Sequence, residues 1–214
     1  MTIKRIVTID KEIYNYIPEF NVIAYNVSFL KLDNEKINEE LFKQKIDVNT
    51  DVLNIPKIKE VRDIYKRMGV DPSHTRCAQE SLIRRCIKGT LTSIEPVVDL
   101  GNILSIKAIR SVCVVDIDKI DDIYITIGKK GERIDAINRD SINMENIICY
   151  KDSSGIFGST TSDSKRTMVT SNTSNYLIMV ILFTKEENEE QILLDLLNEY
   201  SQIKSIERIN QEVK

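Results

Sequence analysis

The feature that most constrains this chain is a change of hydrophobic period near Ser111. Before it, apolar residues recur every three or four positions. After it, they fall in short β-branched runs separated by turns. A helix buries one stripe, whereas a strand alternates sides, so the change predicts helices first and a sheet after them.

The amino-terminal segment departs from that rule. Ile3, Arg5, Val7 and Ile9, then Val22, Ala24, Asn26 and Ser28, alternate with period two and predict two strands. A helix is expected from Asn34 to Ile46, with Glu35, Glu39 and Glu40 near its positive end. Pro56 opens a second helix with the stripe Ile58, Val61, Ile64, Tyr65 and Met68, stopped by Gly69. Leu82, Ile83, Cys86 and Ile87 mark a third, stopped by Gly89, and Pro96 to about Ile109 a fourth.

Strands are then predicted at Val112–Ile117, Ile123–Ile127, Ile147–Tyr150, Ile156–Phe157, Met168–Val169 and Leu177–Phe183. The Gly128–Gly131 and Asp152–Gly155 segments read as turns, the former as a hairpin turn. Its glycines lack the spacing of a phosphate loop. A last helix, Glu186 to about Gln202, closes the pattern. The order indicates an α+β fold, read as one domain over residues 1–214, because no linker or repeat divides the chain.

An apolar content of 42% with 29% charged residues predicts a chain that folds by itself. No run approaches the roughly 18 apolar residues of a membrane span, and no secretory leader is visible, so a cytoplasmic location is expected. Four cysteines without C-x-x-C spacing and one histidine, His74, predict no metal site. No cofactor is expected. The net charge of −3 argues against bulk attraction to DNA and confines any RNA contact to a local patch. Arg84, Arg85 and Lys88 supply such a patch as RNA phosphate candidates; the same run also reads as an ordinary solvated helix face.

Two stretches carry a family likeness. Val98-Asp99-Leu100-Gly101-Asn102, followed by Ser105 and by Val112 to Ile120, resembles the V-D-x-x-N helix and Asp-terminated strand of the editing module in the phenylalanyl-tRNA synthetase β subunit. Met68 to Pro72, Thr75-Arg76 and Glu80 to Arg85 are similar to its freestanding relatives. The resemblance is strongest over residues 64–127 and extends to 183. It implies a β-sandwich-type sheet core of unusual connectivity with packed helices. It also implies a trans-acting hydrolase, or deacylase, of misacylated tRNA. The alternative is a noncatalytic module for tRNA, an amino acid or a protein partner. A ligase is excluded by the absence of a synthetase catalytic domain from these 214 residues.

The resemblance nominates Arg76, Asn102, Cys113, Thr167 and Thr170 as pocket residues, with Asp99, Ser105 and Asp116 behind them. Each has a plain structural reading as well. Arg76 can hold an anionic ligand or pair with Glu80 or Asp99. Asp99 and Asn102, three apart on a helix, can meet a ligand or hold the neighbouring loop. Asp116 suits a strand end that caps backbone donors. Cys113 stands where the family has a histidine, and in an apolar strand it reads as an inert thiol. Ile109 and Ser111 replace the family's Gly and Pro, and its late glutamate has no counterpart near Asn175–Val180. Tyrosine recognition therefore does not carry over.

Overall fold

The structure, a computed structural model, describes residues 5–137 and 139–214. Its α+β core is two facing sheets with a helical layer on one of them. Strands β1 (Ile6–Ile9), β4 (Ile123–Ile127), β7 (Ile148–Asp152), β8 (Gly155–Ser159) and β11 (Asn210–Val213) form one sheet, in the order β11-β1-β4-β7-β8. The other runs β10-β2-β9-β3, from β2 (Asn21–Leu32), β3 (Ser111–Asp116), β9 (Asn175–Leu182) and β10 (Ser201–Arg208). The connectivity is unusual: β1 lies parallel to both β4 and the carboxy-terminal β11.

Strand β9 shows why its run from Leu177 to Leu182 is apolar on every residue. Leu177, Met179 and Ile181 enter the core between the sheets, with Val7, Ile125 and Ile148 of the opposite sheet. Ile178, Val180 and Leu182 point the other way, into a second core beneath helices α1 (Asn34–Lys43), α4 (Pro96–Ala108) and α5 (Glu189–Tyr200). A strand buried on both faces cannot alternate polar with apolar. Helices α2 (Pro56–Arg67) and α3 (Ala78–Ile87) meet α4 in a third cluster built on Ile58, Leu82, Ile83 and Ile106.

Helix α4 lies close upon β3. A Cβ on Gly101 would come within 2.5 Å of Val114 Cγ2, so only glycine permits this approach. The helix ends at Ile109 in the left-handed region, with φ of 53°. That conformation strains a β-branched residue, and the tertiary fold imposes it here.

Arg110 follows immediately and is buried. Its Nε donates to Glu189 Oε1 at 2.8 Å, and its other nitrogens reach Thr184 Oγ1 and the Lys185 carbonyl. Lys57 Nζ adds a bond to Glu189 at 3.0 Å, and the Glu187 and Asn188 amides cap the second oxygen. Burial on its own would raise the Glu189 pKa. The Glu187 amide, Arg110 and Lys57 reverse this and hold it at about 2.

Three predicted features differ. Met168–Val169 is not a strand: Ser164 caps a short 3-10 turn over Lys165–Thr167, accepting from the Arg166 amide, and irregular chain follows. Gly128–Gly131 is a turn, but it leads β4 into a small ribbon of β5 (Arg133–Asp135) and β6 (Ser141–Asn143), while β4 pairs with β7. The last helix ends at Tyr200, and the chain continues as β10 and β11. Strand β10 is largely exposed and bulged, with Ile203 and Ile206 three apart, so its sequence has no clean period. Ile3, the first residue of the earliest predicted strand, lies outside the described residues.

Replacing Arg110 by Met leaves the Glu189 carboxylate in the core without its main partner, a loss of about 3–5 kcal/mol. Urea unfolding measures it. The depressed pKa fixes the sign of the pH effect. Stability from ionised Glu189 is fully present above its ordinary value of 4.5 and is lost as pH falls through about 2. The gap between wild type and Glu189→Gln should therefore narrow across that interval.

Candidate functional site

The site begins with a buried carboxylate. Glu80, in the first turn of α3, is 2% exposed. Arg62 Nη1 donates to both of its oxygens at 3.0 and 3.1 Å, and to the Pro72 carbonyl at 2.8 Å. Arg84, one turn along α3, contributes Nε at 3.0 Å and Nη2 at 2.9 Å, and Arg76 approaches to 3.8 Å. One anion therefore ties α2 and the Asp71–Pro72 turn to α3 and collects two further guanidiniums on its outer side.

Those two groups stand on the wall of a cavity of about 520 Å³. Arg85, Lys88 and Arg139 complete a set of five cations around it. Arg85, Lys88 and Arg139 are exposed, and no ion pair engages them among the described residues. Asn102 from α4 lines the cavity, as do Val112 and the segment that follows β8, with Ser159, Thr161, Ser162 and Asp163.

That segment is held rigidly. The Ser159 amide donates to the Ser162 carbonyl at 2.9 Å, while Ser159 Oγ accepts from the Thr161 and Ser162 amides. The Thr160 carbonyl receives the Ala78 amide at the start of α3 and the Ser111 hydroxyl at the start of β3. Tyr65 OH meets Thr160 Oγ1 at 2.5 Å and accepts from the Cys77 thiol at 2.9 Å. Both walls of the cavity are thus joined at its base.

Asp163 is the chemically distinctive member. Its carboxyl sits over Gly158, where an added Cβ would be 2.7 Å from Oδ1 and 3.0 Å from the Tyr150 ring. Glycine is required there for space. Burial pushes the Asp163 pKa up to about 7, against a lowering hydrogen bond from the Cys113 thiol. Cys113 itself is buried between the sheets, and burial followed by the charge of Asp163 drives its thiol well above the ordinary range. A protonated, enclosed thiol is no nucleophile.

The nominated residues separate accordingly. Arg76, Asn102, Arg84, Arg85 and Lys88 come together on the cavity. Cys113 lies behind it, against Asp163. Thr167 and Thr170 are elsewhere: Thr167 is buried with its hydroxyl on the Phe157 carbonyl, and the Thr170 amide donates to Thr173 Oγ1. Asp99 caps the loop before α4 by accepting from Ser93 Oγ at 2.6 Å and the Ile94 amide at 3.1 Å. Ser105 Oγ donates to the Arg110 carbonyl at 2.6 Å. Asp116 accepts from the Asp118 amide and from Thr173 Oγ1. His74 is an exposed turn residue 3.7 Å from Asp71. Among the described residues, no group of acidic, cysteine and histidine side chains could hold a metal, and no helix is long and apolar enough to cross a membrane.

The profile of the B3/4 domain matches residues 60–201, roughly two-thirds of the chain and the whole of this cavity's wall. The chain belongs to the B3/4 domain family. Among solved structures, this B3/4 domain is similar to an N-terminal fragment of the phenylalanyl-tRNA synthetase β subunit from Pyrococcus horikoshii. The TM-score is 0.54 at 15% identity, with 98% of this chain and 52% of that chain covered. At that identity the likeness is one of fold, and the chain spans about half the length of the fragment. No curated protein matches the sequence.

Sequence reasoning singled out neither Asp163 nor Arg139. The available signal was the Ser/Thr-rich run directly after Gly155-Ile156-Phe157-Gly158, interrupted by a single acid. Glu80→Ala, which removes the anchor of three guanidiniums and strands Arg62 in a half-buried position, should cost about 3–5 kcal/mol. Denaturant unfolding reads that loss directly.

Proposed function

We propose that this B3/4 domain binds the aminoacylated 3′ end of tRNA in the cavity and hydrolyses the ester of misacylated molecules in trans. The observation that carries the reading is the ring of five cations around a cavity of about 520 Å³, on a chain whose net charge is −3. Positive charge concentrated at one concave site attracts a phosphodiester end without attracting nucleic acid elsewhere. The volume falls within the range that accommodates a nucleoside-sized ligand. The fold shared with a fragment of a synthetase that acts on phenylalanine tRNA supports the same substrate class.

The chemistry required is modest. An aminoacyl ester is already activated, so a positioned water and donors for the developing oxyanion suffice. The Asn102 amide is a neutral polar group of the cavity wall that can serve as such a donor; the Thr161 and Ser162 hydroxyls, which meet Ser159 Oγ and the Thr161 carbonyl, can do so after turning toward the ester. Neither Cys113, a buried thiol, nor His74, on an exposed turn, is placed to form a covalent intermediate. The four cysteines are all free, in keeping with a cytoplasmic setting.

Incubation with a panel of labelled misacylated tRNAs tests the proposal, with release of the amino acid from at least one member as the expected outcome. Tight binding with no release from any member would replace it with a noncatalytic receptor for the tRNA end. In the same assay Arg85→Ala combined with Lys88→Ala should weaken tRNA binding and lower the salt dependence, log K against log salt, by about 1.4 for two lost single-strand phosphate contacts.

A further inference from the structure

Asp163 is the one acidic side chain among the described residues that line the cavity, facing five cations. Those cations suit phosphates, but they repel the other charged part of an aminoacyl end, its α-ammonium group. A site that accepts both needs a carboxylate set apart from the guanidiniums. Asp163 meets that requirement: among the described residues no ion pair engages it, its Oδ1 lies over Gly158, and the Cys113 thiol is hydrogen-bonded to it.

Its placement is also rigid. Gly158 and Asp163 form a β-bridge, the Ile137 amide donates to the Asp163 carbonyl at 3.0 Å, and the next residue, Ser164, bridges to Ala136. Backbone held on both sides by strand-like contacts fixes the direction of the side chain between them. The enclosure that makes ionisation costly without a ligand, with the pKa near 7, is offset when a cation arrives. An empty site therefore favours a cationic guest at this one point.

We propose that Asp163 receives the α-ammonium group of the bound amino acid and makes the cavity selective for esters of free amino acids over those whose α-nitrogen is blocked or replaced. This inference rests on the reading that the cavity takes the tRNA end. Asp163 is then a specificity residue that touches the substrate. Asn102 and the neighbouring hydroxyls are left to the carbonyl.

The test uses stable probes, so turnover plays no part in it. RNA mini-helices ending in 3′-amino-3′-deoxyadenosine carry either an amino acid or the matching α-hydroxy acid in amide linkage, as the alanine–lactate and phenylalanine–phenyllactate pairs. An unacylated mini-helix serves as the third probe. Wild-type protein should bind at least one amino-acid probe roughly 10- to 100-fold more tightly than its hydroxy-acid partner, as expected for a charge-assisted hydrogen bond. Asp163→Asn should bind both members equally and bind the unacylated RNA at least as tightly as wild type does, because it removes an anion from a cationic cavity. Equal wild-type affinity for both members of each pair, with the unacylated RNA still bound, overturns the role of Asp163 and leaves the tRNA-end reading intact. If none of the RNA ends binds, the tRNA-end reading falls and takes this inference with it. The comparison on wild-type protein needs no variant to fold.

Discussion

The buried carboxylate of Glu80 is the interaction on which the site depends. A carboxylate with 2% exposure is tolerated only when its charge and lone pairs are answered, and Arg62, Arg84 and Arg76 answer them from three directions. Arg62 reaches it from α2 and simultaneously holds the Pro72 carbonyl. The orientation of α3 relative to α2 is therefore set by charge as well as by the small apolar cluster of Ile58, Leu82 and Ile83. Arg76 and Arg84 are only partly neutralised, because a single anion serves three cations. The surplus charge is directed into the cavity.

That helical wall would be useless without the sheet opposite it. The doubly buried β9 fixes the middle of the fold, β3 pairs along it, and α4 is drawn down upon β3 by the absence of a side chain at Gly101. Asn102 consequently arrives next to the segment that leaves β8. The Thr160 carbonyl, accepting from the α3 amide of Ala78 and the β3 hydroxyl of Ser111, joins the two walls at their base. The result is a cavity with two electrical characters. Five cations line it, and among the described residues Asp163 is its one carboxyl, half-buried and engaged by no ion pair.

How much of this is legible in the sequence depends on how local the cause is. Helices α2 and α3 are visible because their apolar stripes end at Gly69 and Gly89, and the pairing of Arg76 with Glu80 is among the alternatives that spacing alone allows. The cationic run from Arg76 to Lys88 could be placed on one helix but not on a cavity, since the opposite wall comes from residues about 75 positions later. Asp163 has no periodic or motif signature, and its properties arise from Gly158, Tyr150 and Cys113 closing around it. Thr167 and Thr170, nominated by resemblance, do not line this cavity: the Thr167 hydroxyl holds the Phe157 carbonyl of β8, and the Thr170 amide donates to Thr173 Oγ1. Strands β10 and β11 escaped notice because one is bulged and exposed and the other is only four residues at a sheet edge.

The central claim is that the cavity between α3 and the Ser159–Asp163 segment receives the aminoacylated end of an RNA. A crystal structure of the protein with a non-hydrolysable aminoacyl-adenosine analogue tests it most directly. The account predicts the analogue in this cavity, with its amino group on Asp163, its carbonyl near Asn102 or the Thr161–Ser162 hydroxyls, and its ribose facing Arg85 and Lys88. An analogue bound at another surface while this cavity stays empty would contradict it.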